Sequence, residues 1–211
     1  MKVTIIGTGN MGKGIGARLL HGGHQVTLHT RDLAKTAELV GLLAPHCEGA
    51  GSVSVTDFGA TVDDVVILAV PFTEIPTLVT RYDNFAGKVV VDITNPVDFK
   101  TFSLIPPPGV SGAETIAAII PEARVIKAFN TVFAGTLLTG EVDGKMLDVF
   151  VAGEDAEAKE TVQQLVRDGG MRPVDVGSLS NAHHLEGFQL LVMAAQGQLA
   201  TNWMSALKIL G

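Results

Sequence analysis

The amino-acid sequence predicts an α/β fold with a doubly wound, mostly parallel sheet and a small helical portion at the C-terminal end. Strand and helix signals alternate through the first half of the chain, which is typical of parallel strands connected by covering helices. The run from Val65 to Val70 has no polar alternation, as expected for a strand buried on both faces. A third observation is a glycine-rich turn that directly follows the first apolar strand.

The first strand begins at Lys2 and leads into this turn, Gly7-Thr8-Gly9-Asn10-Met11-Gly12, after which a helix begins. Gly7 lets the strand turn sharply, Gly9 lets the backbone approach a pyrophosphate, and Gly12 lets helix and strand pack closely. The N-terminal N–H groups of the helix and its dipole favour a bound phosphate. The pattern therefore predicts a dinucleotide site, although a parallel sheet can contain such a turn without a ligand.

The remaining elements follow from apolar runs and their boundary residues. Strands are expected at 25–29, 52–55, 65–70, 88–91, 124–128, 148–152 and 172–176, with helices at 32–43, 72–81, 112–120 and 155–167. Ser111 and Glu114 form a capping-box pattern at the start of the helix 112–120, after a long irregular stretch at 95–111. The last helix carries an apolar stripe of Leu185, Phe188, Val192, Ala195 and Leu199.

The end of the second strand normally contacts the adenosine ribose, and its side chains select the dinucleotide. An acidic residue there favours NAD, whereas an arginine favours the extra phosphate of NADP. This chain has Thr30 and Arg31 at that position, followed by Asp32 and Lys35. Asp32 suits a helix cap, while Arg31 and Lys35 supply positive charge. We therefore expect NADP(H), and the alternative is that Arg31 and Lys35 are ordinary solvated charges.

Other strand ends should line the same crevice, because ligands of open α/β sheets bind outside the carboxyl ends of the strands. These ends are Ala69-Val70-Pro71 beside the pyrophosphate and adenosine, and Asn95-Pro96 nearer the nicotinamide. The alternative is that both prolines only terminate their strands. Asp92 lies beside the expected cofactor crevice, and the alternative to a role there is that it only orients Thr94 or a backbone amide.

A bound nicotinamide dinucleotide would take part in hydride transfer, which depends on proximity and orientation more than on acid–base residues. No catalytic residue is assigned on this basis, and Asn95, Asn130 and His184 are retained as candidates. No set of residues has metal-ligand spacing, so no metal site is expected.

Several of these motifs resemble one known family. They are the turn Gly7 to Gly14, the pair Thr30-Arg31, Ala69-Val70-Pro71 and the segment Pro173 to Leu179. Along nearly the whole chain, the sequence resembles NADPH-dependent reductases of the deazaflavin coenzyme F-420, and metalloreductase domains share the nucleotide-binding half.

The resemblance implies a Rossmann-type domain at 1–178 and a C-terminal helix at 179–211 that completes the substrate cleft. It also implies a homodimer and direct hydride transfer between NADP(H) and a flavin-like or deazaflavin (F-420) ring. By position, Thr8, Asn10 and Met11 would contact the pyrophosphate, and Thr30, Arg31 and Lys35 the adenosine phosphate.

The chain departs from the family pattern in two places. Members that use the deazaflavin often carry an extra glycine in the first turn, and a different sequence follows their fifth strand, where this chain has Asp92 to Pro96. The identity of the second ring therefore stays open. An imine or keto-acid reductase of the pyrroline-carboxylate reductase type and a non-catalytic NADP(H)-binding sensor are the alternatives.

The resemblance implies a small-molecule acceptor as the partner, and composition argues against two other classes of partner. The net charge of −7 argues against nucleic-acid binding, which requires a basic surface. The apolar stretch from Phe188 to Leu210 is interrupted by polar residues, so no membrane insertion is expected.

Cys47 is the single cysteine and suits a reducing cytoplasm. Trp203 and Met204 are expected to pack on a second subunit.

Overall fold

The computed structural model describes residues 1–82 and 84–210. In chain order the elements are β1 (Lys2–Ile6), α1 (Asn10–His21), β2 (Gln25–Thr30), α2 (Thr36–Leu43), β3 (Ser52–Asp57), β4 (Val65–Leu68), α3 (Ile75–Val79), β5 (Val89–Asp92), β6 (Val97–Asp98), β7 (Ser103–Leu104), α4 (Gly112–Ile119), β8 (Arg124–Lys127), α5 (Ala134–Leu137), β9 (Glu141–Val142), β10 (Lys145–Met146), β11 (Asp148–Gly153), α6 (Ala156–Asp168), β12 (Arg172–Asp175) and α7 (Ala182–Leu199).

An eight-stranded sheet forms the centre, in the order β12-β11-β8-β5-β4-β1-β2-β3. The six strands from β8 to β3 in this order are parallel to their neighbours, whereas β11 is antiparallel to β8 and carries β12 parallel to itself. The chain moves outward from β1 in one direction to β3 and then resumes at β4 on the other side of β1. The loops after β1 and β4 therefore border a crevice at this switch point, and the predicted fold class is confirmed.

The strands bury side chains on both faces, which explains their unbroken apolar runs. Ile5, Ile67 and Val91 face one core, which is completed by α1, α2, α5 and α6. Ile6 and Leu68 face a second core, which is completed by α3, α4 and the start of α7. Each fully buried side chain of this size contributes about 2 kcal/mol through removal of apolar area from water. The strand ends that border the crevice are therefore held in place by packed side chains on both faces of the sheet.

The long segment after β5 is more ordered than the sequence predicts, since β6 and β7 pair as a short antiparallel hairpin within it. At its end the capping box is confirmed. The Glu114 amide donates to Ser111 Oγ at 3.0 Å, and the Ser111 amide donates to Glu114 Oε2 at 2.9 Å.

The last helix differs from the prediction in length and in orientation. It ends at Leu199, and residues 200–210 form an irregular tail whose Lys208 and Ile209 bond to Asp148 of β11. Of the predicted apolar stripe only Leu185 is buried, whereas Phe188 and Leu199 are about half exposed. Glu186, Gln189 and Gln196 are buried instead. Glu186 has buried polar partners in Lys127 and the Gly112 amide, and Gln196 accepts from the hydroxyls of Thr201 and Ser205. Among the residues described, none of the helices has the length and apolarity needed to cross a bilayer.

Candidate nucleotide and hydride-transfer site

The glycine turn has the steric properties of a phosphate cradle. Gly7 has φ +112°, and a Cβ atom added there would lie 2.3 Å from the carbonyl oxygen of Ala69. A Cβ atom at Gly12 would lie 2.2 Å from the Gly7 carbonyl oxygen. Backbone crowding therefore requires glycine at both positions. A Cβ atom at Gly9 would meet nothing within 4 Å, so Gly9 faces open space rather than protein.

This open space adjoins the N-terminus of α1. Gly9 is the N-cap residue of this 12-residue helix and has no side chain that could bond to the first N–H groups. Those donors, together with the positive end of the helix dipole, fit the oxygens of a pyrophosphate. Thr8, Asn10 and Met11 flank the same opening in the chain.

The carboxyl end of β2 lies against the glycine turn, since the Gly7 amide donates to the His29 carbonyl at 3.1 Å. Thr30 is buried, and its hydroxyl lies 3.5 Å from that of Thr8. Arg31 is 65% exposed, and its Nη2 lies 3.3 Å from Glu74 Oε2. Its guanidinium carbon also lies 5.8 Å from the ring centroid of Phe58. The Arg31 side chain thus stands at the crevice rim with donors accessible to a phosphate.

Asp32 has the local role expected from the sequence. The Asp32 carboxylate accepts from the Ala34 amide at 3.2 Å and so caps a short 3-10 turn ahead of α2. Lys35 Nζ lies 3.5 Å from Asp32 Oδ2, and both side chains are more than half exposed. Lys35 therefore forms an exposed ion pair with Asp32, four residues beyond Arg31.

The end of β4 closes the other side of the opening. The Ala69 amide donates to the Ile6 carbonyl at 2.8 Å, which holds Ala69 and Val70 beside Gly7. Pro71 precedes the short turn that contains Glu74. The structure therefore brings together the glycine turn, Arg31 and the segment Ala69-Val70-Pro71, as expected.

A second polar region lies at the ends of β5 and β8. Asn95 Nδ2 donates to the Asn130 carbonyl at 2.8 Å, and Asn130 Nδ2 donates to Asn95 Oδ1 at 3.0 Å. Thr94 Oγ1, Asn130 Oδ1 and Thr131 Oγ1 are buried and have no hydrogen-bond partner among residues 1–82 and 84–210. Buried polar atoms of this kind require a polar partner, and a carboxamide group would supply both donors and acceptors.

Three charged side chains meet beneath these asparagines. Lys127 Nζ lies 2.8 Å from Asp92 Oδ2 and 2.6 Å from Glu186 Oε1, and all three side chains have 0% exposure. Asp92 Oδ1 accepts from the Thr94 amide at 2.8 Å, so the alternative role of Asp92, orienting a backbone amide, is confirmed. Burial raises the pKa of Glu186, an effect that Lys127 opposes.

Sequence reasoning missed Lys127 and Glu186. A lysine directly after the apolar pair Val125-Ile126, at the inner end of the strand RVIK, was the available signal, since a buried lysine needs an acidic partner. The partner could not be identified from the sequence, because Glu186 lies 59 residues away.

His184 makes no hydrogen bond to either polar region in the described residues. It is an exposed residue of α7, and its ring centroid lies 3.7 Å from that of His183. The His183 ring in turn bonds to the Ser180 carbonyl at 2.5 Å. In the described part of the chain, no group of three His, Cys, Asp or Glu side chains is arranged to hold a metal ion.

Comparisons with known proteins address the same region. Residues 2–96 match the family model described as NADP oxidoreductase coenzyme F420-dependent. The chain is 32% identical over 206 residues to the F420-dependent NADP reductase of Methanothermobacter thermautotrophicus, which covers 88% of this chain and 85% of that protein. It is 31% identical over 192 residues to the metalloreductase STEAP3 of Rattus norvegicus, covering 91% of this chain but only 37% of that protein.

Solved structures extend the similarity to the whole fold. A crystal structure from Arthrobacter sp. FB24, provisionally described as an F420-dependent NADP-reductase, has a TM-score of 0.83 and 31% identity and covers 100% of both chains. An imine reductase of Streptomyces aurantiacus has a TM-score of 0.65 at 18% identity, covering 95% of this chain and 64% of that one. The latter similarity concerns the fold alone.

Proposed function

Because the chain belongs to the family of coenzyme F420-dependent NADP oxidoreductases, we propose that it transfers a hydride between NADP(H) and a flavin-like, deazaflavin or related small acceptor. The observation that carries this proposal is the open space at Gly9, next to the uncapped N-terminus of α1. It lies at the switch point of the sheet, where dinucleotides bind in such folds.

The residues divide into two halves of a cofactor site. The segment from Gly7 to Gly12 would bind the pyrophosphate through backbone amides, with Ala69, Val70 and Pro71 along the opposite side. Arg31 would bind the adenosine phosphate, supported by Thr30 and Lys35. Asn95, Pro96 and Asn130 would contact the nicotinamide half, where the buried unpartnered oxygens suit a carboxamide.

When bound, NADPH supplies a hydride that carries two electrons to the acceptor, and a proton from water completes the reduction. The chain's contribution is orientation, which can account for a large part of the rate acceleration. Asn95 and Asn130 hydrogen-bond to each other rather than to an acid. Ring-to-ring hydride transfer needs no acid at this position, whereas imine reduction requires a proton donor near the substrate.

The test is oxidation of NADPH followed at its absorbance band with flavin, deazaflavin F-420, ferric and quinone acceptors, in parallel with NADH. We expect turnover with one of the ring acceptors and a preference for NADPH. Tight NADPH binding with no turnover on any acceptor would instead indicate a sensor. Absence of binding to either coenzyme would refute the proposal.

The segment 179–211 would complete the acceptor cleft and contribute to a homodimer. Its exposed apolar side chains support this, since Leu191 is 69% exposed and Phe188, Leu199 and Trp203 are about half exposed. Trp203 also packs edge-to-face on Phe133 within the chain, with ring centroids 5.3 Å apart. Sedimentation should show that the wild type is a dimer and that Leu191→Glu is a folded monomer. A wild type that stays monomeric at every concentration would refute the proposed dimer.

We also propose a cytoplasmic location, because a reducing compartment would suit the single cysteine.

A further inference from the structure

The buried charged cluster of Asp92, Lys127 and Glu186 joins four parts of the structure. Lys127 Nζ donates to Asp92 Oδ2 at the end of β5, to the Thr94 carbonyl at 2.6 Å, and to Glu186 Oε1 on α7. The Glu186 carboxylate also accepts from the Gly112 amide, at 3.0 Å to each oxygen, at the start of α4. One ammonium group therefore connects the ends of two strands to the helix that borders the proposed acceptor cleft.

The cluster also determines the position of Asn95. The Thr94 amide donates to Asp92 and the Thr94 carbonyl accepts from Lys127, so both backbone polar groups of Thr94 are held. Asn95 follows directly and is paired with Asn130, which lies three residues beyond Lys127. Release of Lys127 would leave the Thr94 carbonyl, directly before Asn95, without this donor and would leave Asp92 without its ion-pair partner.

Stability alone is a weak reason for such a cluster. Desolvation of three charges costs several kcal/mol per ion, and apolar residues of similar volume often replace a buried ion pair with no loss of stability. What apolar residues would not reproduce is the directional bonding that fixes Thr94 and the orientation of α7.

We propose that Lys127 is a positioning residue for hydride transfer: through Asp92, Glu186 and the Thr94 carbonyl it fixes the Asn95–Asn130 pair and α7 relative to each other. This inference rests on the proposed function. The adenosine half of the site, at Gly9 and Arg31, lies at the ends of other strands and makes no bond to the cluster in the described residues. Loss of Lys127 should therefore impair the nicotinamide half and the transfer step and leave the adenosine half intact.

The experiment compares Lys127→Met with Lys88→Met in the full chain. Lys88 is the surface control, because it forms an ion pair with Asp64 at 2.8 Å near the opposite end of β5 and the Asp64 side chain is 96% exposed. Binding of 2′,5′-ADP and NADPH is measured by calorimetry, and single-turnover NADPH oxidation is measured with the acceptor found for the wild type. Circular dichroism and thermal melting establish that each variant is folded at the assay temperature.

We expect Lys127→Met to bind 2′,5′-ADP within about twofold of the wild type and to transfer hydride about 10²-fold more slowly, as misplacement of reacting groups by an ångström can cause. Lys88→Met should leave both quantities unchanged. A folded Lys127→Met protein with a wild-type transfer rate would overturn the inference, as would equal losses in 2′,5′-ADP affinity and rate.

A second variant covers the case in which Lys127→Met does not fold. Glu186→Gln leaves Lys127 with Asp92 and the Thr94 carbonyl, and the same separation between 2′,5′-ADP affinity and transfer rate is expected. Wild-type affinity and rate in this variant would overturn the inference. Failure of the proposed function is distinct, because it would be seen in the wild type as absence of NADPH binding or oxidation.

Discussion

Replacement of Gly9 by alanine separates cofactor binding from folding more cleanly than replacement of Gly7 or Gly12. Gly9 has φ −69° and ψ −176°, a conformation that every L residue adopts, and the added methyl group would meet no protein atom within 4 Å. Alanine is a poorer N-cap than glycine, whereas it lowers the entropy of the unfolded chain. These two effects oppose each other, so the free energy of unfolding should change by less than about 1 kcal/mol.

The same methyl group would occupy the space through which a pyrophosphate approaches the α1 N-terminus. Displacement of the phosphate should cost at least one charge-assisted hydrogen bond, about 1.5–3 kcal/mol. That loss corresponds to a roughly 10- to 150-fold weaker affinity for NADPH. Calorimetric titration measures the affinity, and urea unfolding measures the stability of the same preparation.

Gly12→Ala is the matched control within the turn. Its Cβ atom would lie 2.2 Å from the Gly7 carbonyl oxygen, so two backbone segments must separate by about an ångström, at a cost of roughly 1–3 kcal/mol or more in stability. Gly12→Ala should therefore lower the urea midpoint, and Gly9→Ala should not. Unchanged NADPH affinity in a folded Gly9→Ala protein would show that the pyrophosphate does not bind at this turn.

Three further predictions concern other charges. Arg31→Ala should weaken NADPH binding by about tenfold or more, because a charge-assisted contact to the phosphate is lost. NADH binding should be unchanged. If the ratio of the NADPH and NADH dissociation constants is unaltered, Arg31 does not select the cofactor. Burial alone would raise the pKa of Asp148, but hydrogen bonds from Arg172, Lys208 and a backbone N–H lower it from 3.8 to about 2. Because this folded-state pKa lies below the unfolded value, about 2 kcal/mol of stability is present above pH 4 and is lost as the pH falls toward 2. The urea midpoint of Asp148→Asn should not show this acid-dependent loss. If the midpoints of the wild type and the variant fall in parallel as the pH is lowered, the lowered pKa of Asp148 is contradicted. Burial raises the pKa of Glu186, so the folded state retains its proton longer than the unfolded state does, and stability should decline as the pH rises above 4.5. Glu186→Gln should remove that decline in urea titrations, and an identical pH profile would count against a raised pKa.

The local features of the site were predictable from the sequence because each depends on neighbouring residues. The glycine spacing, the capping box at Ser111 and the contact from Asp92 to the Thr94 amide involve groups a few residues apart. The strands were also predictable, because burial on both faces gives each of them an unbroken apolar sequence. The motif resemblance to F-420-dependent reductases is confirmed by relatives of about 30% identity.

The orientation of the last helix was not predictable. Its apolar residues repeat at helical spacing, which indicates a stripe but does not identify the side that packs. In the structure Glu186 turns inward to Lys127, and Phe188 and Leu199 are left exposed. The antiparallel placement of β11 beside β8 was likewise undetermined, since the apolar pattern of a strand carries no information about its direction.

The sequence by itself therefore determined the doubly wound sheet, the glycine turn and the positive charge at the end of β2, because each is encoded by side chains close together in the chain. Only the tertiary structure decided that Asp92, Lys127 and Glu186 form one cluster and that Asn95 pairs with Asn130. The physical reason is that buried charges and amides need partners. Those partners come from whichever strand ends and helices the fold brings together.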